Sequence, residues 1–228
     1  MEAQKMRNLV FMVAFGKRCL QEFDLIYPSI LGFGNEVLLI TDKNIKRKGV
    51  EVLQFSKPEE TQEMYKFRVH IYRVFDFSLY DSVCYMDTDV IMRRNIFEKY
   101  NDRIYVAKEP DVMMDNEHFC ELLTNKERIE ASTMPAINSG FFVVPKRLID
   151  FWEHYEEITI KSYEKRPWIA EQHAMNWIYF HERERWEMKL FDREDIGWPV
   201  KGIEGKYVEH YICLKNEDKI GWMRRRMK

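Results

Sequence analysis

Ser82-Val83-Cys84-Tyr85-Met86, running straight into Asp87-Thr88-Asp89 and then Val90-Ile91, is the stretch that decides how this chain is read. The first five residues have strand character, two carboxylates one residue apart end them, and a second apolar pair follows. An isolated Asp-x-Asp is most often a turn with solvated side chains. Here it interrupts a run that belongs in a core, where uncompensated carboxylates are costly, so a metal ion or a basic partner is the better expectation. Two such carboxylates can give hard oxygen ligands to one Mn²⁺ or Mg²⁺ and leave positions open for diphosphate oxygens and water. The ion would then offset negative charge on a departing diphosphate.

Outward from that stretch, short apolar runs at Leu9–Ala14, Glu36–Thr41, Val50–Phe55, Ile104–Ala107 and Gly140–Val144 read as further strands. Arg18 to Leu31 is compatible with a helix that Pro28 must interrupt or kink. Met64, Phe67, Ile71, Val74 and Phe75 recur at helical spacing, with Lys66, His70 and Arg73 on the opposite face. Helical spacing returns at Leu148, Phe151, Trp152 and Tyr155, and again at Ala170, Ala174, Trp177 and Ile178. Strands alternating with helices predict an α/β fold with a mainly parallel central sheet. Ligands of such sheets bind at the carboxyl ends of the strands, where the Asp87-Thr88-Asp89 triplet stands.

With 228 residues and 46% hydrophobic content the chain can bury one full core, and no repeat or linker suggests a second domain. Lys and Arg total 36 against 38 for Asp and Glu, which leaves no basic footprint for nucleic acid. Cys19, Cys84, Cys120 and Cys213 stand far apart without a CxxC pair, the pattern of reduced, mostly buried thiols in a cytoplasmic protein. The run Leu9 to Phe15 is too short to span a bilayer and lacks a small-residue cleavage site. The basic end, Trp222-Met223-Arg224-Arg225-Arg226-Met227-Lys228, reads first as a solvated tail and second as a segment that could touch an anionic membrane weakly.

Several segments, in order, resemble the GT-A glycosyltransferases, and most closely the retaining family that contains glycogenin and the bacterial lipopolysaccharide galactosyltransferases. Lys66 to Met92 looks like that family's basic helix, strand and Asp-x-Asp signature. Pro135 to Val143 is similar to its Asn-Ser-Gly loop and following strand, Glu171 to Asn176 to its Asp-Gln-Asp-x-x-Asn segment, and Glu209-His210-Tyr211 to the motif that carries a third metal ligand. Cys213 stands where the family has glycine, Lys215 comes one position before the family's lysine, and Asn216 takes that lysine's place.

The resemblance implies a single Rossmann-like GT-A domain, with a nucleotide-binding part over residues 8–110 and a sugar and acceptor part over 111–228. It implies that Asp87, Asp89 and His210 hold Mn²⁺ or Mg²⁺, that Lys66 and Arg73 reach the diphosphate or donor sugar, and that Thr41 and Asp42 lie near the nucleotide. Thr88 would belong to the donor site, and Asn138, Ser139 and Gly140 would face the donor sugar, in a segment otherwise readable as a tight turn. Glu171 would bind sugar hydroxyls and Gln172 would lie near the anomeric carbon. The implied reaction moves a hexose from a UDP-sugar to an acceptor hydroxyl with retention, the acceptor being a glycan, a lipid-linked saccharide or a protein. A phosphatase of the haloacid dehalogenase kind also ends a strand in Asp-x-Asp, but its later Gly-Asp-x-x-x-Asp motif is not found. An inactive or lectin-like scaffold of the same fold is the other alternative.

Overall fold

The apolar runs become strands because each is long enough to pair and, apart from the part-exposed edge run Val50–Gln54, apolar enough to be covered on both faces. The computed structural model describes residues 6–211 and 216–227. In chain order the elements are β1 (Asn8–Ala14), α1 (Gly16–Gly32), β2 (Glu36–Thr41), β3 (Val50–Gln54), α2 (Tyr65–Val69), β4 (Ser82–Met86), β5 (Val90–Met92) and β6 (Tyr105–Met113). There follow α3 (Asn125–Ala131), β7 (Pro135–Pro145), α4 (Phe151–Lys165), α5 (Ala170–Glu182), β8 (Lys189–Leu190), β9 (Ile196–Gly197), β10 (Val208–His210) and α6 (Asn216–Arg226). The fold is mixed α/β, its sheet mostly parallel and flanked by helices, as expected.

Two compact units interleave along the chain, the first drawn from Met1–Lys57, Leu79–Asn101 and Asp192–Lys228, the second from Pro58–Ser78 and Asp102–Phe191. In the first, β3, β2, β1 and β4 lie side by side in that order, all parallel, with Ala14 opposite Thr41 and Phe11 opposite Tyr85. Their carboxyl ends therefore share one edge, which carries Gly16, Asp42 and Asp87. Helix α1 covers β1 and β2 through Leu20, Phe23, Ile26 and Ile30. It runs through Pro28 without a break. Asp24, whose carbonyl loses its intrahelical donor to that proline, and Pro28 itself are both exposed, so water can satisfy the freed group. Strands β5, β10 and β9 form a small second sheet.

In the second unit β6 pairs antiparallel with β7 and parallel with β8, and α5 packs on β7. Phe142, Phe151, Trp152 and Tyr155 fill its core, with Phe77 set edge-on to Trp152.

Three expectations change here. Asn138-Ser139-Gly140 is no turn: it lies inside β7, where Val106 pairs with Phe142 but the next residue, Ala107, pairs with Asn138. Ser139, Gly140 and Phe141 form a bulge in the strand. The helix expected over Met64 to Phe75 is split into a 3₁₀ turn at Thr61–Met64, the five-residue α2 and a second 3₁₀ turn at Ile71–Arg73. In a 3₁₀ turn residues three apart eclipse, and His70 and Arg73 thereby reach the same carboxylate, Glu156; Val74 of the expected apolar stripe is exposed. Nor is the basic end a solvated tail, because α6 buries Met223 and pairs Arg226 with Glu204 and Glu209. Among the described residues Cys19, Cys84 and Cys120 are free thiols; Cys213 and Lys215, and the side chain of Asn216, lie outside them.

Candidate functional site

Strand β4 delivers Asp87 to the carboxyl edge, and a tight turn closed by Val90 N–H donating to the Asp87 carbonyl starts β5 at once. Strand β10 pairs antiparallel with β5, His210 facing Val90, and the Tyr211 amide donates to the Asp89 carbonyl at 2.9 Å. That pairing brings a histidine from the end of the chain onto the Asp-x-Asp turn. Asp87, Asp89 and His210 each offer one ligand atom, all within 4.8 Å of one another.

The surroundings fix these groups. Tyr85 donates its hydroxyl to Asp87 Oδ1 at 2.5 Å. The His210 ring is buried and stacks on Trp198 with 4.9 Å between centroids, its Nε2 3.2 Å from Asp89 Oδ1. Lys219 of α6 donates to Asp89 Oδ2 at 2.6 Å. Burial alone would raise the Asp89 pKa, but His210 and Lys219 beside it hold it well below the usual carboxylate range. Thr88 turns the other way, its hydroxyl donating at 2.6 Å to Glu22, a buried carboxylate on α1. At the same edge, Thr41 is buried at the end of β2, and Asp42 accepts from the Gly16 amide at 2.8 Å, capping the turn into α1.

The second unit gathers another group. The Ser139 amide and hydroxyl both donate to Gln172 Oε1, at 2.8 and 2.6 Å. Arg68 Nη1 donates to the Ser139 hydroxyl at 3.0 Å and stands 3.5 Å from Glu171 Oε1. Asn138 donates to Glu109 on β6 at 2.7 Å, and Gly140 N–H donates to Asn138 Oδ1 at 2.8 Å. Asn176, one turn further along α5, bonds both the N–H and the carbonyl of Ile137 at 2.8 Å. Side chains of α5 thus supply the partners that the bulge withholds from the β6 ladder. Lys66 pairs with Glu63 at 2.6 Å, and Arg73 pairs with Glu156 at 2.5 Å, on which Tyr72 and His70 also converge.

The sequence-predicted residues therefore assemble as Asp87, Asp89 and His210 in one unit, and as Asn138, Ser139, Gly140, Glu171 and Gln172 in the other. Glu22, Arg68, Glu109, Glu156, Trp198 and Lys219 were not singled out. A glutamate on the apolar face of a helix was the visible signal for Glu22; the others hold no local pattern that marks them.

Residues 35–220 match the family model described as nucleotide-diphospho-sugar transferase. Among solved structures, the chain is similar to a glycosyltransferase involved in the glycosylation of the major capsid of PBCV-1. The TM-score is 0.63 at 10% sequence identity, over 96% of this chain and 99% of that one, a likeness of fold. Comparison with curated proteins finds no match.

Proposed function

This chain belongs to the nucleotide-diphospho-sugar transferase family, and from that premise we propose that it is a metal-dependent glycosyltransferase that moves a hexose from a UDP-sugar to an acceptor hydroxyl, with retention. The observation that carries the reading is the convergence of Asp87, Asp89 and His210 within 4.8 Å at the carboxyl edge of a parallel sheet. Two carboxylates with one imidazole fit Mn²⁺, and fit Mg²⁺ less well, since that ion prefers oxygen ligands and water. When bound, the ion supplies Lewis-acid stabilisation of the leaving diphosphate.

The protein's part is to orient. Tyr85 fixes the rotation of the Asp87 carboxylate, Trp198 fixes the plane of His210, and Thr88 serves the donor site by anchoring the turn to Glu22. Thr41 and Asp42 are assigned to the nucleotide. Asn138, Ser139 and Gly140 are assigned to the donor sugar, Glu171 to its hydroxyls and Gln172 to the neighbourhood of the anomeric carbon. The chain of bonds from Arg68 through Ser139 to Gln172 holds those groups in one orientation. Lys66 and Arg73 are assigned to the diphosphate or the donor sugar, in competition with Glu63 and Glu156. Retention lets the diphosphate take the acceptor's proton, so no dedicated base is required; inversion would place that duty on Glu171. The acceptor is a free glycan, a lipid-linked saccharide or a protein, and unpaired Cys19, Cys84 and Cys120 support a cytoplasmic setting. Among the described residues no helix is long and apolar enough to cross a membrane. Trp222, Arg224 and Arg225, exposed on α6, are the side chains a weak peripheral membrane contact would use.

Calorimetric titration with UDP and UDP-sugars, with and without Mn²⁺, tests the reading. Manganese-dependent binding that the Asp87→Ala, Asp89→Ala double variant loses is the expected result; nucleotide binding indifferent to metal and to that variant overturns it. The anomeric configuration of the product, read by NMR, then decides between retention and inversion.

A further inference from the structure

Both oxygens of Asp89 are engaged, Oδ1 by His210 Nε2 at 3.2 Å and Oδ2 by the Lys219 ammonium at 2.6 Å. Lys219 is 8% exposed, so solvent screens its charge little. An ion held by Asp87, Asp89 and His210 would share one buried carboxylate with a second cation at contact distance, and like charges so placed repel. The site also has a modest charge: two carboxylates against one ammonium leave a single net negative charge for a divalent ion, with His210 neutral as a ligand. Helix α6 is fastened at its other end by Arg226 to Glu204 and Glu209 and by Arg93 to the Arg226 carbonyl. The ammonium can therefore leave Asp89 without the helix leaving the fold.

We propose that Lys219 and the divalent ion compete for Asp89, so that Lys219 weakens ion binding on its own and couples ion loading to the arrival of the donor's diphosphate. The diphosphate brings the anionic partner that the ammonium loses when the ion takes Asp89. This inference rests on the metal reading above and adds a residue that tunes it.

The experiment measures Mn²⁺ affinity by calorimetry, without and with UDP, for the wild type, Lys219→Met and the Asp87→Ala, Asp89→Ala variant, with thermal melts to confirm folding. Lys219→Met is expected to tighten Mn²⁺ alone by about tenfold or more and to shrink the ratio between affinities with and without UDP. Unchanged or weaker Mn²⁺ binding in Lys219→Met overturns the competition. If wild-type Mn²⁺ binding survives in the double variant, the metal reading itself fails; if it is lost there while Lys219→Met matches wild type, only the role of Lys219 fails. Should Lys219→Met not fold, Lys219→Arg and Lys219→Gln make the same comparison: Arg keeps the cation and wild-type affinity, Gln removes it and tightens binding. Equal affinities for those two also overturn the proposal.

Discussion

Thr88 sits between two carboxylates yet turns its side chain away from both. Asp87 and Asp89 flank it, while its own hydroxyl is spent on Glu22, whose carboxylate is buried and needs partners. His173 shows the opposite relation between a motif and its chemistry. It occupies a position where the resembling family has an aspartate, yet it is fully buried, with its Nδ1 accepting from the Glu121 amide at 3.3 Å. Burial, reinforced by Arg166 and opposed by Glu121, lowers its pKa to about 4. An unfolded histidine titrates near 6.5. Between those values the unfolded chain takes up a proton that the folded chain refuses, so this contribution to stability is complete above pH 6.5 and drains away as pH falls towards 4. Urea denaturation is expected to show a loss of about 2 kcal/mol from this residue between pH 7 and 5. His173→Gln, which cannot titrate, should flatten the profile by that amount; an unchanged slope would show that His173 is protonated at the same pH whether folded or not.

At the scale of elements, His210 owes its place to two glycines. A Cβ on Gly197 would lie 2.2 Å from the Gly205 amide nitrogen, and one on Gly205 would lie 2.1 Å from the Val208 carbonyl oxygen. Backbone meets backbone there, so nothing flexible can yield. That approach seats β9 against β10 and sets Trp198 under the His210 ring. Gly197→Ala is expected to cost about 1–3 kcal/mol of stability and to weaken Mn²⁺ binding several-fold, whereas Gly202→Ser, at a site open to solvent, should leave Mn²⁺ binding as it was. Calorimetry alongside urea melts would reveal a failure if Gly197→Ala binds Mn²⁺ as the wild type does. Neither glycine stood out in the sequence, because close approach is a tertiary fact. The strands β1, β2 and β4 were legible, since continuous apolar runs leave few alternatives. The segment before β4 was not, because its helical periodicity competes with a cluster on Glu156 that only folding creates. The bulge in β7 was hidden for a similar reason: Asn, Ser and Gly read locally as a turn, until Gln172 of α5 takes the Ser139 amide, Glu109 of β6 takes the Asn138 side chain and Asn138 itself takes the Gly140 amide.

For the whole molecule, the interleaving of the two units had no signature in composition or linkers, because the chain passes from one to the other through ordinary short connections. The convergence of Asp87, Asp89 and His210 was legible in outline even so, since an ordered set of motifs can survive when the contacts between them are invisible. What the last segment adds is an anchor. Met223 is fully buried, Arg226 reaches Glu204 and Glu209, Arg93 holds the Arg226 carbonyl, and Glu209 is itself the neighbour of His210. Removing residues 220–228 should therefore lower stability by about 2–3 kcal/mol, the scale of one buried methionine with its charged network. Arg224→Ala, Arg225→Ala, which touches only exposed side chains, should change stability by no more than about 0.5 kcal/mol. Urea melts on the three proteins separate an anchor from a tail: equal midpoints would mean that α6 contributes nothing to the fold, and a loss confined to the deletion would place its contribution in Met223 and Arg226.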